Sequence, residues 1–356
     1  MDSAYTSSAT SLDAGLRRWQ RLQRRRTVVL GVLVIIAAVS FAADLAVGPA
    51  ELAISDVLSS LTGQHDGSVQ DAFIVWELRL PQACLAVLIG CALGLAGLEM
   101  QTILDNPLAD PFTLGVSAAA ALGAALAIVL GIGIPGVPAD WIVSANAFVF
   151  AAASLLALLI LARAGMAGPD RLILFGIAMG FSFGALLALM QFVASPDALQ
   201  QLTFWSMGSL VRANWNVVAI LAAAVLLAAP FSAMACAHLT ALGLGDDRAQ
   251  SLGIDVARLR LMSILRISLL SALSVAAAGI IGFIGLTAPH IARLIIGSDH
   301  RFLMPTSMLT AMIVMSLAAV VSKTAMQGVV IPLGIVTALI GLPVFFALLL
   351  TRRGTP

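Results

Sequence analysis

Apolar runs separated by short polar interruptions make up almost the whole chain. A helix crossing a bilayer needs about 20 apolar residues. On that measure spans fall near 27–47, 83–103, 112–134, 142–162, 172–194, 216–237, 261–283, 286–297, 303–323 and 332–350. Ten spans put both termini on one side. The eighth is short, and merging it with the seventh makes nine and moves the C-terminus across. The longest polar interruption after Arg171 is Leu242–Asp255, and it has the signals of a small folded unit. Asp246 is suited to cap a helix, Asp247 supplies negative charge to its first turn, and Gly253 can end it in the left-handed conformation. Asp255 is placed to cap the next helix. A capped short helix between two spans predicts a docking element.

Breakers sit at the span boundaries. Asn106-Pro107 ends span two, and Asp110-Pro111 starts span three with Asp110 as N-cap; Pro169-Asp170 does the same for span five. Gly279, Gly282 and Gly285 precede Pro289, so that stretch is not one straight helix. Irregular backbone at that depth must be buried in protein or line a wet cavity. Glycines four apart, Gly90 and Gly94 with Gly97 in span two and Gly176, Gly180 and Gly184 in span five, allow close helix approach. Packing and a smooth translocation wall are both open readings, the second more so in span five. The outer loop 48–81 carries Glu51, Asp56, Asp66, Asp71 and Glu77, with a short amphipathic helix expected around 50–61.

Composition fits a polytopic all-α membrane protein. The 356 residues are 60% hydrophobic and only 10% charged, against about 25% charged in soluble domains; mean hydropathy is +1.04. A polar tail, residues 1–26, precedes a single membrane domain over 27–351, with a cytoplasmic loop at 238–258. The tail's arginines set orientation, and a nucleic-acid-binding arm is the lesser reading. Ten spans put the N-terminal arginines, Arg163, Arg171, Arg248, Arg258, Arg260, Arg301, Arg352 and Arg353 inside. Only Arg79, Arg212 and Lys323 lie outside, as the positive-inside rule expects. Cys84, Cys91 and Cys236 fall in apolar runs and read as buried hydrophobes. The histidines show no metal-ligand spacing.

No nucleophile-and-base arrangement stands out. The sole lysine, Lys323, is followed by Thr324, but Leu317 and Ser322 occupy the glycine positions of a phosphate-binding loop. Ion-coupled transporters keep acids or histidines inside their spans. Here Asp44 and Glu99 lie near span ends, within reach of the interface. His290 and Arg293 in span eight are the exception, as a polar pair or a relay. No selectivity-filter pattern is visible. A large transporter without its own energy source must borrow one, and the capped turn at 246–253 is a place to connect.

From about residue 75 to 350 the chain resembles the FecCD-type permeases, subunits of type II ABC importers for iron–siderophore complexes, haem and vitamin B12. The motifs are Arg79-Leu80-Pro81; Met100-Gln101 with Asn106-Pro107-Leu108-Ala109-Asp110-Pro111 and Leu114-Gly115-Val116-Ser117; and Trp205-Ser206-Met207-Gly208-Ser209-Leu210. They continue with Leu242-Gly243, Ala249 and Leu252-Gly253; the run Gly279–Arg293 with Asp299-His300-Arg301; and Pro332–Val336 with Ile340–Phe345. In this order they are specific.

The resemblance implies ten spans and a permease pair, homo- or heterodimeric. It implies two cytoplasmic ATPases carrying ATP and Mg, a periplasmic binding protein, and no cofactor or catalytic residue on this chain. By position it makes Leu242, Gly243, Asp246, Asp247, Ala249, Leu252 and Gly253 the ATPase-coupling segment. Arg79 and Lys323 become binding-protein docking residues. Asn106, Leu108, Pro169 and Asp170 become the cytoplasmic gate, a turn or cap role for each standing equally open. The membrane implied is a bacterial inner membrane, both termini cytoplasmic, and the cargo an iron–siderophore complex, with haem and cobalamin as alternatives within the class. An ion-coupled secondary transporter or a membrane scaffold are the readings from other classes. Gln82, Ala319 and Val330 stand where relatives carry Arg, Asp and Glu, Asp105 stands where Arg is common, and the coupling turn has two extra residues.

Overall fold

The computed structural model describes residues 2–50, 52–63, 69–161, 163, 169–326 and 328–351, and among these it is helical with no strand. Arg352, Arg353, Glu51 and Asp66, counted above as loop charges, lie outside the described residues. Helix α1 (Asp2–Ala46) runs unbroken through the polar tail into the first span. On the side expected to be outer follow α2 (Ile54–Thr62), the expected amphipathic piece, and α3 (Val69–Phe73). A π-helical turn, Ile74–Arg79, then leads into α4 (Leu80–Ile103). Beyond it lie α5 (Val116–Leu130), α6 (Ala139–Leu161), α7 (Pro169–Val193), an outer helix α8 (Pro196–Ser206) and α9 (Trp215–Leu242). The short α10 (Asp246–Ser251) precedes α11 (Val256–Ala278), α12 (Ile284–Ile296), α13 (His300–Thr324) and α14 (Leu333–Thr351).

Each of the ten expected spans has its helix. Seven are long and apolar enough to cross a bilayer unaided, and Val116–Leu130, Ile284–Ile296 and Leu333–Ala347 are shorter apolar helices. The third span starts later than expected. Asp110 and Pro111 open a 3-10 turn, Pro111–Leu114, and α5 begins only after Gly115.

Helix α4 is the centre of the bundle. In its most apolar window 83% of residues are buried, and it packs on α13, α11, α9 and α12. Its glycines make this possible. A methyl on Gly90 would sit 2.7 Å from the Ala311 carbonyl oxygen, and one on Gly94 would sit 2.8 Å from that of Ser307. At Gly97 it would collide with the backbone of Gly285. Span two's glycines are therefore packing residues, holding helices together by close backbone contact where lipid supplies no hydrophobic drive.

Two sets of contacts fix helix direction. Gly90 meets Ala311 and Gly94 meets Ser307, so α4 and α13 are antiparallel. Arg26 pairs with Asp299 at 3.1 Å and Asp44 with Lys323 at 2.8 Å, so α1 and α13 are parallel. If α11 and α12 were one span, α13 would be the eighth and both relations would reverse. The ten-span order is the one the structure has. A break between Ala278 and Ile284, with Gly279 and Phe283 both at positive φ, separates the two helices.

This break is tied by a backbone bond to a second break, which is tied in turn to a third. The Ser209 N–H donates to the Ala278 carbonyl at 2.7 Å. Leu333 and Gly334 donate to the carbonyls of Gly208 and Met207 at 2.9 and 3.0 Å. Segments 207–209, 278–283 and 331–334 thus form one junction, and three of the sequence motifs meet in it. Unpaired backbone groups in a bilayer cost several kcal/mol each, which is why the motifs occur as a set.

Candidate functional site

At the end of the bundle expected to be cytoplasmic, the short helix α10 is braced by one arginine. Arg260, in α11 and 5% exposed, grips both carboxylate oxygens of Asp246 at 2.8 and 2.9 Å. Its Nε donates to the Ile103 carbonyl at the end of α4, at 2.9 Å. The fork geometry of guanidinium suits this double contact. Asp246 is therefore not the cap that its position suggests. Gly245, at φ 105, holds the cap position, and the Asp246 carboxylate turns inward to Arg260. The other expected ends occur. Gly253 is left-handed at φ 81, and the Asp255 carboxylate accepts from the Arg258 N–H at 2.9 Å.

The residues expected to couple divide into two faces. Leu242 and Ala249 are buried against the chain's own core. Asp247, Leu252 and Gly253 are exposed, as are Gly243 and Leu244, and Asp246 is half-buried. Leu244 and Leu252 are 57% and 65% exposed. Apolar side chains held out on a braced helix form a contact surface.

Behind the turn lies a polar cavity of about 490 Å³. It is lined by Gln101, Asn106, Thr240, Arg293 and His300, with Gly243 and Leu244 at its edge. The buried His300 ring bridges Thr102 of α4 at 2.9 Å and Thr240 of α9 at 3.2 Å. Arg293 reaches Gln101 at 3.4 Å, and Gln101 donates to the Leu286 carbonyl at 3.1 Å.

The proposed gate residues make local structure. Asn106 Oδ1 accepts from the Leu108 N–H at 2.9 Å, closing a turn, and Asp105 beside it has φ 45. Asn106 and Leu108 are half-buried. Pro169 opens α7, and Asp170 is exposed in its first turn. Between α4 and α5, the buried Asp110 accepts from the Phe112 N–H at 2.8 Å. A methyl on Gly285 would come within 3.1 Å of the other oxygen of that carboxylate. Gly176 and Gly180 of α7 sit against Leu114 and Gly115, whereas Gly184 has open space before it. Little of α7 is covered: 11% of its span is buried.

On the outer side both expected docking cations are engaged within the chain. Arg79 is 4% exposed and donates to the carbonyls of Leu45, Ala46 and Ala50 at 3.3, 2.7 and 2.6 Å. It closes the C-terminal end of α1, whose last carbonyls lack helical partners. Lys323 pairs with Asp44, and both side chains are 5% exposed or less. Gln82, Ala319 and Val330, where relatives carry charges, line one small cavity with Lys323. These three departures thus fall in one cluster, apart from Asp105 and the longer turn at 243–247.

Two buried acids correct the expectation that Asp44 and Glu99 reach the interface. Asp44 is fully buried and Glu99 is 1% exposed. Glu99 accepts from Arg266 of α11 at 2.8 to 3.1 Å and from the Ser232 hydroxyl of α9. Arg266 is not among the residues that the spans and motifs mark. A lone arginine in mid-span signals the need for a partner, without saying which helix supplies it.

Comparison with known proteins agrees with this architecture. The profile of the FecCD transport family matches residues 33–351. The hemin transport system permease protein HmuU of Yersinia pestis is 34% identical over 335 residues, covering 94% of this chain and 98% of its own. The Fe(3+)-citrate import system permease protein YfmE of Bacillus subtilis (strain 168) is 35% identical over 334 residues, covering 94% and 98%. The vitamin B12 import system permease protein BtuC of Salmonella typhi is 35% identical over 338 residues, covering 94% and 97%. Among solved structures, an inward-facing metal-chelate type ABC transporter superposes with a TM-score of 0.79 at 27% identity, covering 91% of this chain and 99% of its own.

Proposed function

The chain belongs to the FecCD transport family and is a multi-pass ABC importer permease, and from that premise we propose that it carries a ferric chelate of the siderophore kind across a bacterial inner membrane. Both termini are cytoplasmic. A pair of ABC ATPases, holding ATP and Mg, supplies the energy; this chain has no nucleotide site of its own. A periplasmic binding protein delivers the cargo, and a second permease subunit completes the pathway. The Fe(3+)-citrate relative and the metal-chelate structural neighbour support an iron chelate as cargo.

The observation that carries the mechanism is the bracing of α10. A rigid lever is needed if ATPase closure is to move spans. The Asp246–Arg260–Ile103 chain ties α10 to α11 and α4, and α4 is the buried centre. Movement imposed at Leu244 and Leu252 is therefore passed to the bundle rather than absorbed in a loop. The ATPase meets those two leucines and the polar residues beside them. Alternating access follows as the bundle tilts.

The test is reconstitution in liposomes with an ABC ATPase and a periplasmic binding protein from the same organism. Uptake of radioiron as a ferric chelate is expected to require ATP and the binding protein. Uptake driven by an ion gradient without ATP overturns the reading.

A further inference from the structure

With Arg79 and Lys323 engaged, the third outer cation, Arg212, becomes informative. It lies in the loop between α8 and α9 and is exposed. Among the described residues the ion pairs are Arg26–Asp299, Arg260–Asp246, Arg266–Glu99 and Lys323–Asp44, and none includes Arg212. Its guanidinium lies instead 6.0 Å from the centroid of the Trp205 ring. Trp205 is 3% exposed, and its indole N–H has no hydrogen-bond acceptor in the protein. Buried indole N–H groups ordinarily find one. Both groups line a cavity of about 300 Å³ at the outer ends of α5 and α6, with Gln201, Ser209 and the apolar Ile128, Val143 and Phe204.

The polar inventory of this cavity is donor-rich. A guanidinium has five N–H groups and no acceptor, an indole has one N–H and no acceptor, and the Gln201 amide offers two more. Apolar walls strengthen a charge-assisted hydrogen bond by lowering the local dielectric. The Gln201 carbonyl and the Ser209 hydroxyl are the acceptors of the lining. The one charged group is the Arg212 cation, and donors outnumber acceptors, so the set favours an oxygen anion over a cation. We propose that this cavity is an oxyanion subsite taking a carboxylate or phosphate group of an anionic solute. It rests on the import reading and narrows its cargo to chelates that keep free anionic oxygens.

Calorimetric titration of the full chain in phosphatidylcholine nanodiscs tests it, with citrate, ferric citrate and inorganic phosphate as probes. Wild type is expected to bind at least one of them, and trimethyl citrate, the same skeleton without charge, is expected not to bind. Arg212→Gln should weaken binding at least about tenfold, Arg212→Lys should retain part of it, and Trp205→Phe should weaken it with packing kept. Thermal unfolding of Arg212→Gln at the wild-type temperature shows that the loss is local. Equal affinity in wild type and Arg212→Gln, or no binding of any anionic probe, overturns the subsite. So does loss of citrate binding when phosphatidylglycerol is added to the disc, since a lipid headgroup is then the occupant. ATP-driven uptake by the assembled importer is measured alongside. Intact ATP-dependent uptake with a failed titration removes the subsite alone, and uptake without ATP removes the import reading.

Discussion

The two ends of the bundle use charge in opposite ways. At the proposed cytoplasmic end, one buried arginine braces a short helix so that Leu244, Leu252 and their polar neighbours stand clear of the chain. At the outer end, Arg79 and Lys323 turn inward and hold α1 to its neighbours. Both ends show the same kind of residue in sequence: a basic side chain at a span boundary. The difference lies in what is unsatisfied nearby. Beside Arg79 are the open carbonyls of a helix end, and beside Lys323 is a fully buried acid. In each case the cation is bound by the local need first.

The largest expected effect comes from Lys323. Replacing it with Met leaves the fully buried Asp44 without its ion partner, and breaking a buried pair from one side costs about 3–5 kcal/mol. Denaturation of the detergent-solubilised chain should show that loss, and Asp44→Asn added to Lys323→Met should recover much of it. A docking role alone predicts instead unchanged stability and weaker binding-protein affinity, so the two measurements separate the uses.

Arg79 comes next. Arg79→Ala strands three carbonyls and is expected to cost about 2–3 kcal/mol, the scale of hydrogen bonds to a charged donor. Arg79→Lys should recover only part, because an ammonium does not reproduce the fork. Hydrogen exchange should quicken at the last turn of α1, since that is the end Arg79 closes. Unchanged exchange at residues 43–47 would remove the clamp from the comparison.

The spans were legible because the bilayer imposes a length and a solvent, and both are written in composition. The break at Gly279–Phe283 was legible for the same reason: glycines and a proline do not continue a straight helix. Partnership was not legible. Asp44 and Lys323 are 279 residues apart and Glu99 and Arg266 are 167 apart, and periodicity indicates a face, never which helix lies against it. The coupling turn shows a finer limit. Asp246 has the composition of an N-cap, but Gly245 took that place because Arg260, fourteen residues on, made a stronger demand on the carboxylate. Glycines divide likewise. The spacing is alike in α4 and α7, yet one set is locked against Ala311 and Gly285 while Gly184 faces open space.

Arg260→Gln sharpens the cytoplasmic side. The Asp246 carboxylate is 41% exposed, so solvent takes over part of its interaction, and the stability loss should be about 1–2 kcal/mol, discounted for that screening. The functional effect should exceed the structural one. With α10 no longer tied to α4 and α11, basal ATP hydrolysis of the assembled importer is expected to persist while stimulation by the binding protein falls. Stimulation kept at the wild-type level would mean that α10 is not the lever.

Leu252→Asp has the smallest expected effect on the fold and is the sharpest test of the contrast between the two ends. The side chain is 65% exposed and lies outside the packed core, so stability should stay within about 0.5 kcal/mol of wild type, as for surface substitutions generally. Ala249→Asp, three residues earlier, should destabilise strongly, because that methyl is fully buried. A loss of ATPase affinity in Ala249→Asp would therefore say little about contact. A charge at Leu252 removes an apolar contact and buries a carboxylate wherever a partner covers it. Co-purification of the ATPase should weaken at least about tenfold, with the permease unfolding at its normal temperature, since an unpaired buried charge is among the costliest changes at an interface. Normal ATPase binding in Leu252→Asp would show that the exposed leucines are not the contact, and the cytoplasmic end would then resemble the outer one, with its polar turn serving the chain's own packing.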